Sequence, residues 1–141
     1  MEKKVNKNSP RFILLDDDMF ALTFAKQIIR NYSRRIEVIT FSAASEAIKY
    51  METEDFMCKD TDTVFLTDLH MPEINGLALL DRMHNTFTVM KQRLHIFVLS
   101  AAAGPDEVRR VLSYDYVIGF LNKPFSKDIM KQIMDCMQYP L

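Results

Sequence analysis

At 141 residues, with 48% hydrophobic and 26% charged side chains, the chain can bury the core of one domain and is too apolar to be disordered. A net charge of −1 leaves no electrostatic footprint for nucleic acid or an anionic membrane. No apolar run approaches the ~20 residues of a membrane helix. Met1–Arg11 is polar and lacks the apolar stretch of a secretion signal. Cys58 and Cys136 form no metal-ligand spacing and read as reduced thiols of a cytoplasmic protein. The ten methionines read as adaptable core filler.

Residues 1–10 are expected to be a flexible lead and 11–141 a single domain. Phe12-Ile13-Leu14-Leu15 is short and continuously apolar, as a buried strand is, and ends in Asp16-Asp17-Asp18. Met19 to Asn31 has helical periodicity, with Ala21, Phe24, Ala25 and Ile28 on the expected inner face and an Asp as N-cap. Ile36 to Phe41 reads as a second strand. Ser42 or Ser45 is the candidate cap of a helix from Ala43 or Ala44 to Thr53, whose inner face is Ala44, Ala47, Ile48 and Met51.

Glu54 to Asp62 is charged and reads as a loop. Thr63 to Thr67 is a third strand, delivering Asp68 to its end. His70-Met71-Pro72 and Gly76 turn the chain into a helix over Leu77–His84. Asn85 to Arg93 has no clear pattern. Leu94 to Leu99 is a fourth strand ending at Ser100. Ala101 to Gly104 is a turn, and Pro105 suits the first position of a helix continuing over Asp106–Ser113. Tyr116 to Leu121 is a fifth strand, followed by Asn122-Lys123-Pro124-Phe125. Ser126 caps a last helix whose Ile129, Ile133 and Met137 share a face.

Five apolar strands alternating with five helices predict an α/β sandwich with a parallel sheet and right-handed crossovers. Such sheets bind ligands beyond the carboxyl ends of their strands. There the first strand brings Asp16–Asp18, the third Asp68, the fourth Ser100 and the fifth Lys123. Clustered carboxylates resist ionising together unless a cation neutralises them. A hard divalent ion held by oxygen, Mg²⁺ or Mn²⁺, meets that need. Asp17 and Asp68 read as direct ligands, Asp16 as a ligand directly or through a water, and the His70 backbone carbonyl as a further oxygen. With Lys123 and Ser100 beside it, Asp68 is equipped to attack phosphorus and carry an acyl phosphate.

Taken in order, Phe12–Asp18, Asp68-Leu69-His70-Met71-Pro72, Phe97-Val98-Leu99-Ser100-Ala101 and Phe120-Leu121-Asn122-Lys123-Pro124-Phe125 resemble the receiver domain of two-component response regulators, of the chemotaxis-receiver type. The resemblance implies a flavodoxin-like (βα)5 three-layer sandwich with strand order 2-1-3-4-5. It assigns Asp68 as phospho-acceptor, Asp16 and Asp17 as the acidic metal pair, and Ser100 and Lys123 as site residues. It makes Phe120 the aromatic that moves with Ser100, and it makes the Lys123–Pro124 bond cis. His70 and Ala102 fall at positions that vary in that family and tune the lifetime of the phosphorylated state.

The function so implied is a switch rather than a turnover enzyme. A histidine kinase, a histidine phosphotransfer protein or a small donor would supply the phosphoryl group. A downstream protein would read the result, and the receiver would be monomeric or weakly dimeric when phosphorylated. A start at Met1 and a short C-terminus favour a stand-alone receiver over a fragment of a hybrid kinase. The competing reading is a receiver-fold interaction domain that works without phosphorylation. Other chemistries fit poorly. There is no phosphate-cradling glycine loop or serine-hydrolase elbow, and Asp68-Leu69-His70 lacks the second acid of a haloacid-dehalogenase-type phosphatase. A transition metal or a phosphohistidine at His70 is disfavoured by its oxygen-rich neighbours. His84 and His95 are read as carrying no function.

Overall fold

The computed structural model describes residues 9–137, so the expected lead lies outside the described residues apart from Ser9 and Pro10. The strands are β1 (Arg11–Leu15), β2 (Glu37–Phe41), β3 (Thr63–Asp68), β4 (Leu94–Ser100) and β5 (Val117–Asn122). They form one sheet in the order β2-β1-β3-β4-β5, with every pairing parallel. Among the described residues the helices are α1 (Met19–Tyr32), α2 (Ala44–Met51), α3 (Glu54–Cys58), α4 (Gly76–Arg82), α5 (His84–Met90), α6 (Pro105–Leu112) and α7 (Lys127–Cys136). This is the flavodoxin-like fold and the strand order that the resemblance implies.

Alternate residues of each central strand feed two separate cores. Ile13, Leu15, Phe65, Ile96 and Val98 pack with residues of α2 to α6. Phe12, Leu14, Val64, Leu66 and Phe97 pack with α1 and α7. The central strands are buried on both faces, so they read as unbroken apolar runs. Each fully buried Leu, Ile or Phe contributes about 1.5–3 kcal/mol. The inner face expected for α2 is buried as predicted, and so are Ile129, Ile133 and Met137. Ser126 caps α7 through the Ile129 amide, and Pro105 opens α6.

Several expectations are corrected. The inner face of α1 is Leu22, Ala25 and Ile29; of the expected residues Ala25 is buried and Ile28 is half-buried against that core, while Phe24 is 56% exposed. Two neighbouring stripes on this helix have the same apolar spacing, and only the helix's seat on the sheet selects between them. The segment 54–62 is not wholly a loop, because α3 forms there under a Thr53 cap on the Phe56 amide. The carbonyls at its end are held from far along the chain. Arg11 donates to Phe56 O (2.6 Å), and Arg93 donates to Met57 O (3.0 Å) and Lys59 O (2.5 Å). The Arg11 guanidinium also lies 4.1 Å from the centre of the Phe56 ring. The unpatterned segment after α4 folds as α5 and a 3₁₀ turn, Lys91–Arg93. Neither Ser42 nor Ser45 caps α2. Ala43 occupies the cap position without a side-chain bond, and the Ser45 amide donates instead to Glu73 Oε1 at 2.9 Å.

Candidate functional site

Register brings the site together. Leu15 pairs with Thr67, so Asp16 leaves β1 level with Asp68 on β3. Asp68 pairs with Leu99, which sets Ser100 one step beyond it on β4. Ser100 pairs with Asn122, and the Lys123 amide donates to the Ser100 carbonyl at 2.9 Å. Four strand ends therefore deliver Asp16 and Asp17, Asp68, Ser100 and Lys123 to one rim.

The three consecutive acids have three different settings. Asp18 accepts from the Phe20 and Ala21 amides and caps α1. Asp16 is buried; its Oδ1 accepts from the Asp18 amide (2.9 Å) and its Oδ2 from Lys123 Nζ (2.6 Å). Asp17 is exposed, yet a carboxylate oxygen from each of Asp16, Asp17 and Asp68 lies within 4.8 Å of the others. Like charges about 5 Å apart repel by roughly 3 kcal/mol at an effective dielectric near 20. Lys123 relieves part of this, donating also to Asp68 Oδ2 at 3.0 Å. One ammonium against three carboxylates leaves net negative charge, and every available donor is a hard oxygen. That set fits Mg²⁺ or Mn²⁺.

The charges respond to this setting. Burial pushes the Asp16 carboxyl up from its usual range and outweighs the pull of the Lys123 hydrogen bond. Burial pulls the Lys123 ammonium down, but the hydrogen bonds and charges of Asp16 and Asp68 more than offset it, and the net displacement is upward. Ser100 is 1% exposed, and its hydroxyl has no hydrogen-bond partner among the described residues. A buried hydroxyl without a partner costs about 1–3 kcal/mol, and Ser100 bears that cost on the strand beside the carboxylate cluster.

The loop after Asp68 completes the rim. The His70 amide donates to Asp68 Oδ1 at 3.3 Å, while its imidazole Nε2 lies 3.5 Å from Glu107 Oε2 on α6. Gly76 N–H closes the loop on Leu69 O at 2.7 Å. A Cβ on Gly76 would stand 2.9 Å from both Leu69 Cα and Leu69 O, so glycine is required by close approach. Phe120 is half-buried on β5 against the α2–α6 core, and the Lys123–Pro124 bond is cis. His84 and His95 lie apart from this rim: His84 is beside Tyr116, and His95 Nε2 is 3.7 Å from Asp62 Oδ1.

An apolar pocket between α1 and the β5–α7 connection, lined by Leu22, Phe24, Leu66 and Phe125, opens onto Asp16, Asp68 and Lys123. On the same helix Met19 is 67% and Phe20 88% exposed. The sequence reading missed this apolar rim, and it also missed Glu73 and Glu107. No local signal marks Glu73, whose partner lies on another element; Glu107 accepts from the Gly104 amide of its own helix start, and only its approach to His70 depends on the tertiary structure.

The geometry agrees with comparisons to known proteins. The response regulator receiver domain family matches residues 12–135. The fold is similar to a response regulator receiver protein from Dyadobacter fermentans at TM-score 0.81 and 22% identity, covering 94% of this chain and 100% of that one. A two-component response regulator from Cytophaga hutchinsonii is similar at TM-score 0.81 and 22% identity, covering 93% and 98%. The chemotaxis protein CheY4 of Vibrio cholerae is similar at TM-score 0.71 and 17% identity, covering 91% and 98%. No curated protein sequence matches. With a family match over nearly the whole chain and the expected strand order beneath it, this chain belongs to the response regulator receiver domain family.

Proposed function

We propose that this receiver accepts a phosphoryl group on Asp68 and passes the change on as an altered protein contact. The observation that carries the reading is the Lys123 ammonium shared between Asp16 and Asp68, with the buried, unpartnered Ser100 hydroxyl on the adjoining strand. Asp16, Asp17 and Asp68, with the His70 carbonyl, would hold Mg²⁺ or Mn²⁺. The ion, when bound, supplies positive charge to the oxygens of the transferring group.

In the reaction a carboxylate oxygen of Asp68 attacks phosphorus and forms the new O–P bond. The bond to the donor breaks and its electron pair leaves with the donor, an imidazole nitrogen for a phosphohistidine, which solvent then protonates. Lys123 meets the charge on the phosphoryl oxygens, and Ser100 supplies a hydrogen bond to one of them. No group in the site needs to change its proton count, and the phosphoryl group stays on Asp68 as an acyl phosphate, so the chain works as a switch rather than as a turnover enzyme. The added negative charge draws on Ser100 and Lys123, and through β4 and β5 it biases Phe120.

The exposed Met19, Phe20 and Phe24 on α1, at the mouth of the site, support a protein donor, a histidine kinase or a phosphotransfer protein. A downstream protein reads the phosphorylated surface, in the cytoplasm, from a monomer or a weak phosphorylation-dependent dimer.

Intact mass after incubation with acetyl phosphate, with and without Mg²⁺, tests the reading. A Mg²⁺-dependent gain of one phosphoryl group, absent in Asp68→Ala, is expected. A folded, Mg²⁺-binding protein that gains nothing from acetyl phosphate or from phosphohistidine donors overturns it in favour of a phosphorylation-independent interaction domain.

A further inference from the structure

The amino end of α2 is capped from outside its own segment. Ala43 offers no side-chain acceptor at the cap position, and the two nearby serines do not fill it. The acceptor is Glu73, which lies 28 residues further on in the loop between β3 and α4 and takes the Ser45 amide at 2.9 Å. The Ser45 amide, foremost, then the Ser45 hydroxyl and, least, the Ala44 amide pull the Glu73 carboxyl below its usual range although the group is exposed. Here the cap is also a tether, because Glu73 sits in the loop that leaves Asp68.

Little slack remains in that loop. Its start is fixed by the His70 amide on Asp68 Oδ1, and its end by Gly76 N–H on Leu69 O. Pro72 stiffens the middle. Further along the same two helices, Arg82 of α4 makes two hydrogen bonds to the Glu52 carboxylate at the end of α2. The loop and α4 are thus fastened to α2 at both ends. Beside that fastening, β2 runs next to β1, where the Asp16 amide donates to Phe41 O at 3.2 Å. Glu73 therefore joins the loop of His70 to the same shoulder of the sheet that carries Asp16 and Asp17.

We propose that Glu73 is a positioning residue of the metal site: its hold on Ser45 at the amino end of α2 keeps the loop that carries His70 in place before an ion arrives. The inference rests on the metal reading of Asp16, Asp17 and Asp68. Residues that orient ligands without touching the ion commonly change metal affinity by about 10–100-fold when removed.

The test is calorimetric titration of the full chain with MgCl2, alongside thermal melts in metal-free buffer. Glu73→Ala is expected to bind Mg²⁺ on the order of tenfold more weakly. Glu73→Gln, which loses the charge but keeps the acceptor, is expected to bind as the wild type does. Adding Ala43→Ser to Glu73→Ala gives α2 a cap of its own. That pair is expected to recover the melting temperature and not the affinity. Equal affinity in Glu73→Ala, equal losses in the Gln and Ala variants, or recovery of affinity with Ala43→Ser overturns the positioning role. A wild-type protein that binds no Mg²⁺ overturns the metal reading itself, a result distinct from these three.

Discussion

Lys123 and Asp68, 55 residues apart in the chain, meet at 3.0 Å, and the same ammonium reaches Asp16 Oδ2 at 2.6 Å. One cation thus holds two strand ends together.

Lys123→Met removes that charge while keeping most of the volume of the side chain. Phosphorylation by acetyl phosphate at saturating Mg²⁺ is expected to slow by about 10²-fold or more, the usual loss when one donor to a developing oxyanion is deleted. Mg²⁺ binding is expected to persist, since the carboxylates remain. The initial rate of mass gain, set beside a calorimetric titration, separates the two effects.

Ser100→Ala deletes a hydroxyl that is buried without a partner. The fold is expected to lose nothing and to gain about 1 kcal/mol in urea unfolding, because an unsatisfied polar group is removed. Phosphorylation is expected to slow nonetheless. A variant that is more stable and less reactive separates a group kept for chemistry from one kept for structure.

Gly76→Ala places a Cβ 2.7 Å from Leu69 Cδ1 and 2.9 Å from Leu69 backbone atoms. The side chain can swing away but the backbone cannot, so the loop is expected to distort at a cost of about 1–3 kcal/mol. Thermal unfolding measures the loss, and the Mg²⁺ affinity is expected to fall with it.

Alkaline pH is expected to weaken the fold. Burial, and then the hydrogen bond to Asp81, push the Tyr114 phenol from 10.0 to about 12. Burial raises Tyr116 as well. A group that holds its proton more tightly when folded contributes fully below its unfolded value of 10.0. That contribution fades as pH rises through the folded value. The urea midpoint is therefore expected to decline above pH ~10, and less steeply in Tyr114→Phe, whose phenol is gone.

Much of the site was legible in one dimension. A strand buried on both faces is an uninterrupted apolar run, so its end is marked by the first polar residue. Asp16 and Ser100 end such runs directly, Asp68 comes one residue later after Thr67, and Lys123 follows Asn122 at the end of the half-buried edge strand β5. Once the alternation of strands and helices implied a parallel sheet, those ends had to share a rim. The caps at Asp18 and Ser126, and Pro105 as the first residue of α6, were legible for the same reason, since each acts within its own turn.

Only the tertiary structure decided matters that depend on partners distant in the chain. The face α1 buries was one, since Leu22/Ala25/Ile29 and the expected Ala21/Phe24/Ala25/Ile28, which share Ala25, are both spaced for a helix. The existence of α3 was another, because five residues are too few for a periodic signal and its carbonyls are met by Arg11 and Arg93. The cap of α2 was a third, supplied by Glu73 rather than by either nearby serine. Local pattern reports what a residue can do within its own turn or strand. Which of several equivalent groups is used is set by the groups that packing brings opposite it.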